Sequence, residues 1–224
     1  MSNKLTQSEI VNNKERFIKL LSSVHRPGID DLITWLDEKS DFFTAPSSTV
    51  YHGCYEGGLC QHSLNVYDAL KKIIAVSKDI ALSDKQVDNI SEETLIIVSL
   101  LHDLCKTNFY VKEIKMWKDE TEPYGNQWKK YYAYKCVDNF PLGHGEKSVI
   151  MIQNFIRLSA TEIISIRWHM GATDPGTFLS SYEKPAYSKA VNECPLLVLL
   201  QQADQFASFM MEHMVDPKIE NLIE

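Results

Sequence analysis

Leu95-Ile96-Ile97-Val98-Ser99-Leu100-Leu101-His102-Asp103-Leu104-Cys105-Lys106 is the stretch on which the reading of this chain turns. Its first seven residues are apolar almost throughout, so as a helix it is apolar nearly all round and belongs in the centre of a fold. Ser91 is a suitable N-cap, and the spacing predicts a helix from 92 to about 105. An imidazole and a carboxylate at the far end of such a helix are costly to bury without partners.

Outward from this helix the pattern stays mostly helical. Residues 8 to 24 place Ile10, Val11, Phe17, Ile18, Leu20, Leu21 and Val24 at helical spacing, and Arg26-Pro27-Gly28 breaks the run. A second helix is expected from 29 to about 39, with Leu32, Ile33, Trp35 and Leu36 inward, followed by an irregular stretch over 42–49. Gly57-Gly58 precedes a long helix, roughly 59 to 77, on which Leu59, His62, Val66, Ala69, Leu70 and Ile73 share one face. His62 therefore points inward.

Near residue 109 the period changes. Phe109, Val111, Trp128, Tyr131, Tyr132, Tyr134 and Val137 are strand formers, separated by the turn-like Thr121-Glu122-Pro123-Tyr124-Gly125-Asn126. A β-hairpin inserted between helices is expected. Helices resume at about 145 to 158, at 160 to 170 behind a Ser159-Ala160-Thr161-Glu162 capping box, and at 195 to 211 behind Pro195. The fold class is all-α, a mainly helical bundle with a small β-hairpin insertion over 109–137. One domain is expected over 1–224, with N-terminal helices in 1–50 and a helical core over 55–210.

Composition narrows the function. The chain has 224 residues, 44% of them hydrophobic, enough for one large core. A net charge of −7 offers no overall basic field, which argues against extended duplex binding but leaves a strand end or a nucleotide open. Five cysteines with no C-x-x-C pair suit neither a disulfide framework nor a zinc knuckle and point to a reducing compartment. The N-terminus has no signal-peptide core, and no window nears the roughly 18 to 20 apolar residues of a membrane span. A cytoplasmic protein without membrane association is expected.

Function must then come from point chemistry. His62, His102, Asp103, His144, His169 and Asp204 recur on or beside apolar helices. His62 or His169 alone would read as a satisfied core histidine; six such residues together read as a ligand inventory. His62, His102, Asp103 and Asp204 compose a His-His-Asp-Asp set for one metal. His144 and His169 remain for a second cation sharing the Asp103 carboxylate. Imidazole with carboxylate suits Fe, Mn, Co, Ni or Zn and disfavours an all-oxygen calcium site. Cys60 and Cys105 flank these residues and read as small buried thiols, not ligands.

The ordered series Gly58-Leu59-Cys60-Gln61-His62, Leu101-His102-Asp103, Gly143-His144-Gly145-Glu146, Arg167-Trp168-His169-Met170 and Gln202-Ala203-Asp204 resembles the HD-domain metal-dependent phosphohydrolases. The resemblance covers about residues 55 to 210 and is to the subset with two metals. It implies that His62, His102, Asp103 and Asp204 hold the first metal and Asp103, His144 and His169 the second. It also implies hydrolysis of a phosphoester by metal-activated water. Lys106 is similar to the lysine of His-Asp-x-x-Lys in related phosphodiesterases, and would meet a phosphate oxygen beside Asp103 at the catalytic position. Complementing the helix dipole is its other reading.

The expected substrate is a small-molecule phosphoester or nucleotide, with a nucleic-acid 3′ end the less favoured form. Trp128, Tyr131, Tyr132 and Tyr134, amid Lys112, Lys115, Lys118, Lys129, Lys130 and Lys135, suit a base-stacking surface or a lid. They equally suit aromatic pairing within a ribbon whose lysines guard its edge. His52 and Glu56 precede the His62 helix and are candidates to line the site. Two alternatives carry the same ligands: a di-iron oxygenase of the same superfamily, and a catalytically silent metal-containing binding module.

Overall fold

Caps set the ends of the first helices in the computed structural model of the protein, which describes residues 4–82, 87–119, 127–171, 183–214 and 216–223. Thr6 accepts from the Glu9 N–H while the Glu9 carboxylate accepts from the Thr6 N–H, opening α1 (Gln7–Leu21) with a reciprocal capping box. After the Arg26-Pro27-Gly28 break comes α2 (Ile29–Glu38), then the long α3 (Gly58–Ile80). Ser91 caps α4 (Glu92–Leu101), in which every residue from Leu95 to Leu101 is buried.

The second half holds α5 (His144–Gln153), α6 (Ala160–Trp168), α7 (Glu183–Glu193), α8 (Pro195–Phe206) and α9 (Pro217–Glu220). One contiguous apolar core runs from Phe17 to Ala207, with α3 packed along α4 and α8. The protein is mostly helical, and none of its described helices is long and apolar enough to cross a membrane.

The hairpin forms as β1 (Tyr110–Asp119) against β2 (Gln127–Cys136), antiparallel, from Tyr110 opposite Cys136 to Asp119 opposite Gln127. Its turn over 121–126 lies outside the described residues. A third strand, β3 (Leu222–Ile223), pairs with the outer edge of β2. Two residues of non-local pairing leave no periodic trace, so sequence analysis could not see it.

Three expected helices end early, the one expected over 145 to 158 stopping at Gln153. The helix expected to 105 stops at Leu101; His102 is its C-cap, and Asp103 leaves helical geometry (φ −101°, ψ 21°) before a 3₁₀ turn, Leu104–Lys106. The pair sits at a helix end rather than within a continuing helix. The helix expected to 211 becomes a five-residue π-helix at Ala207–Met211.

Arg26 and Glu162 tie the two halves. The guanidinium donates to both Glu162 carboxylate oxygens at 2.7 Å, and the Ser159 N–H and Thr94 hydroxyl donate to the same group. The capping-box glutamate thus also anchors a residue 136 positions away. Burial alone raises the Glu162 carboxyl, but these donors outweigh it and hold its pKa below the ordinary 4.5. Glu162→Gln should cost about 3 kcal/mol in urea unfolding at pH 7. The stabilisation is full above the ordinary carboxyl value and fades as pH falls through the lowered one, so wild type and variant should converge in acid.

Candidate metal centre

Close backbone approaches aim the histidines. A Cβ on Gly58 would lie 2.1 Å from the Gly53 carbonyl oxygen, so only glycine lets the preceding turn fold against the start of α3. His62, in the second turn of α3, is then buried. At Gly145 a Cβ would lie 2.3 Å from the Arg167 carbonyl oxygen, and this tight α5–α6 crossing brings the His144 and His169 rings to 5.4 Å.

All six expected ligand residues converge on one place. The Nε2 atoms of His62 and His102 are 3.3 Å apart, and His62 Nε2 lies 3.2 Å from Asp204 Oδ1. Asp103 stands between two groups. Its Oδ2 is 3.6 Å from His62 Nε2 and 3.5 Å from His102 Nε2, while its Oδ1 is 2.6 Å from His144 Nε2 and 3.4 Å from His169 Nε2. Donor atoms about 2.1 Å from a common ion lie about 3.0 to 3.4 Å from each other, close to most of these separations.

Backbone carbonyls set the tautomers. His102 Nδ1 is 2.8 Å from the Ser99 oxygen and His169 Nδ1 is 2.7 Å from the Ile166 oxygen. A carbonyl only accepts, so each Nδ1 carries the hydrogen and each Nε2 presents its lone pair to the cluster. His169 Nε2 is buried with no hydrogen-bond partner, an orphaned acceptor that a cation would satisfy. These buried His and Asp groups are able to hold metal ions.

Charge in the metal-free chain is unevenly shared. Burial drives His102 down to about 4, keeping it neutral. Burial opposes charge at His62 too, but Glu212 and Asp204 outweigh it and push the pKa up to about 10. At His144 burial is outweighed by Cys105 and Asp103, again up to about 10. Burial works against the Asp103 carboxylate, yet Lys106 and His102 hold it well below the usual range. Lys106 Nζ lies 2.7 Å from Asp103 Oδ2, so the metal-free lysine neutralises that carboxylate instead of capping a helix.

The centre is nearly closed. His62, His102, Asp103 and His169 are buried, and it opens to solvent at His144, Asp204 and Lys106, whose side chains are 27%, 17% and 13% exposed.

Three neighbours were missed or misjudged in the sequence. Glu212 accepts from His62 Nδ1 at 2.9 Å and from Asn65 Nδ2 at 3.1 Å, and its second oxygen is buried without a hydrogen-bond partner. It follows Asp204 and Ser208 at steps of four, a periodicity that could have revealed it. His52 stacks on His62 at 5.1 Å, whereas Glu56 turns to Lys112 and lines no part of the centre. Cys105, expected to be only a packed thiol, places Sγ 3.3 Å from His144 Nδ1 and groups with Asp103 and His144 as a further donor. Cys60 is a buried thiol on α3 and belongs to none of these donor groups.

Comparison with known proteins adds nothing here: no family model, no curated protein and no solved structure matches the chain.

Glu212→Gln keeps shape but removes the charge behind His62. Co²⁺ affinity, measured by competition with a chelating dye, should fall about 10- to 100-fold with the circular dichroism spectrum unchanged. Unaltered affinity would mean that packing alone orients His62.

Proposed function

We propose that the protein is a metal-dependent phosphohydrolase of the HD-domain type, cleaving a phosphoester of a nucleotide or of a nucleic-acid end. The observation that carries this reading is the division of Asp103: its two oxygens face two separate sets of imidazoles. A shared carboxylate between two donor groups is what a two-cation phosphoester site requires.

His62, His102, Asp204 and Asp103 Oδ2 would hold one divalent transition metal, and Asp103 Oδ1, His144 and His169 a second. Such ions supply a water acidified toward neutral pH and a positive field for the phosphate. The chain's own groups do the rest. Ser99 and Ile166 carbonyls keep His102 and His169 in the ligating tautomer, and Glu212 performs the same office for His62. Lys106, beside Asp103 and partly open to solvent, is placed to donate to a non-bridging phosphate oxygen and stabilise charge that develops there. Among the described residues the centre meets solvent at His144, Asp204 and Lys106.

Elemental mass spectrometry of the purified protein, with a phosphoester screen under Mn²⁺, Co²⁺ or Ni²⁺ in air and without oxygen, tests the reading. Two metals per chain and oxygen-independent ester cleavage, abolished in Asp103→Ala, are expected. Stoichiometric iron without ester cleavage would favour the oxygenase instead, metal without any turnover the silent module, and no metal would sink the site. Lys106→Met should lower turnover about 10²- to 10³-fold with metal content intact. Metal loss in that variant would assign the lysine a structural role.

A further inference from the structure

The β1–β2 ribbon has two unlike faces. Paired residues of an antiparallel ladder share a face and alternate along the strand, so the register puts Lys112 with Tyr134, Ile114 with Tyr132, Met116 with Lys130 and Lys118 with Trp128 on one side. The other side is partly covered: Tyr131 and Ala133 are buried and Lys218 of α9 lies 5.8 Å over the Trp117 ring, while Val111 and Lys115 stay exposed.

The first side is open, with Trp128 62%, Ile114 59% and Met116 56% exposed. Large apolar groups in such a row on a solvent-facing ribbon call for an occupant. That row carries three lysines and no carboxylate from β1 or β2, in a chain of net charge −7. Lys118 and Lys130 have no ion-pair partner among the described residues, while Lys112 meets Glu56 at 3.4 Å. The chemistry favours a ligand that is anionic along its length and offers flat faces to Trp128 and Tyr132.

The row also has a direction. Tyr110, on the same face at the base of the ribbon, reaches the Ser47 carbonyl oxygen at 3.4 Å and lies within electrostatic reach of Lys106 and Asp103. A pocket of about 230 Å³ beside it is lined by Tyr110, Lys112 and Tyr134 together with the acidic Asp41 and Glu56. From Lys118 to Tyr110 the strand covers about 26 Å at ~3.3 Å per residue, the scale of a several-nucleotide site. A single nucleotide needs no platform of that length, and a duplex hides the base faces that the aromatic rings would stack on.

We propose that the open face of the ribbon binds single-stranded nucleic acid, Trp128 and Tyr132 stacking on bases while Lys112, Lys118 and Lys130 follow the backbone. Delivery of the strand's end to Asp103 rests on the phosphohydrolase reading above; the binding does not.

Fluorescence anisotropy with short labelled deoxyuridine and uridine oligonucleotides, between about 50 and 200 mM salt, tests the binding. Lys118→Glu/Lys130→Glu should weaken it at least tenfold and flatten the log–log salt slope by about 1.4, at ~0.7 per lost phosphate contact. Trp128→Ala should weaken it roughly fivefold to a hundredfold with the slope unchanged. Circular dichroism confirms that each variant is folded.

A difference between the two oligonucleotides would assign the sugar. No binding by the wild type, equal binding by the variants, equal affinity for a duplex, or a ribbon engaged only in self-association by sedimentation would each overturn the proposal. Wild-type hydrolysis of bis(p-nitrophenyl) phosphate, followed in parallel, keeps the two readings apart. Ester cleavage without oligonucleotide binding fells the ribbon alone, and binding without metal-dependent cleavage fells only the hydrolase.

Discussion

The Asp103 carboxylate is the constraint around which this structure is arranged. An ionised carboxylate that is only 2% exposed is several kcal/mol unfavourable unless its surroundings compensate it. Here compensation comes from residues on three other parts of the chain: His62 on α3, Lys106 on the 3₁₀ turn and His144 on α5. His62 has further partners in Glu212 and Asp204, and His144 has one in Cys105. The helices are therefore held in mutual register by a polar centre as well as by the apolar core around it.

The centre uses one local device twice. An α-helix ends with carbonyls that lack intrahelical partners, and a side chain that reaches back can satisfy one of them. His102 follows the last residue of α4 and His169 the last residue of α6; each donates Nδ1–H to the carbonyl three residues earlier. The same bond that closes the helix end turns Nε2 toward Asp103. Helix termination and ligand orientation are thus a single event, which explains why the helix expected to 105 had to stop at Leu101. The bond that holds His62 is different in kind, because Glu212 supplies a full negative charge. Burial keeps His102 neutral, while Glu212 and Asp204 outweigh burial and make His62 cationic in the metal-free chain.

Much of this was legible in residue order. The inward placement of His62 followed from its i, i+3, i+4 neighbours, and the ribbon from its strand formers. The assembly of His62, His102, Asp103, His144, His169 and Asp204 in one place agrees with the expected inventory, although no comparison with known proteins bears on it. Glu212 escaped notice because it reaches the centre through long-range packing, whereas His52, a candidate in the sequence, does lie against His62. Glu212 lies beyond a π-helical step, 150 positions from the imidazole it serves. Lys106 was read against a phosphate or a helix dipole, although its i, i+3 spacing from Asp103 already allowed the pairing with Oδ2.

Sequence alone marked most helical segments, though not α7 (Glu183–Glu193), together with their apolar faces and the imidazoles that had to be buried with partners. Those properties are local: periodicity, caps and side-chain chemistry act over a few residues. Tertiary structure alone decided that Asp103 presents different oxygens to different histidines, that Arg26 closes on Glu162, and that β3 covers the edge of β2. These are contacts between positions far apart in the chain, selected by the closure of the whole core rather than by any stretch of sequence.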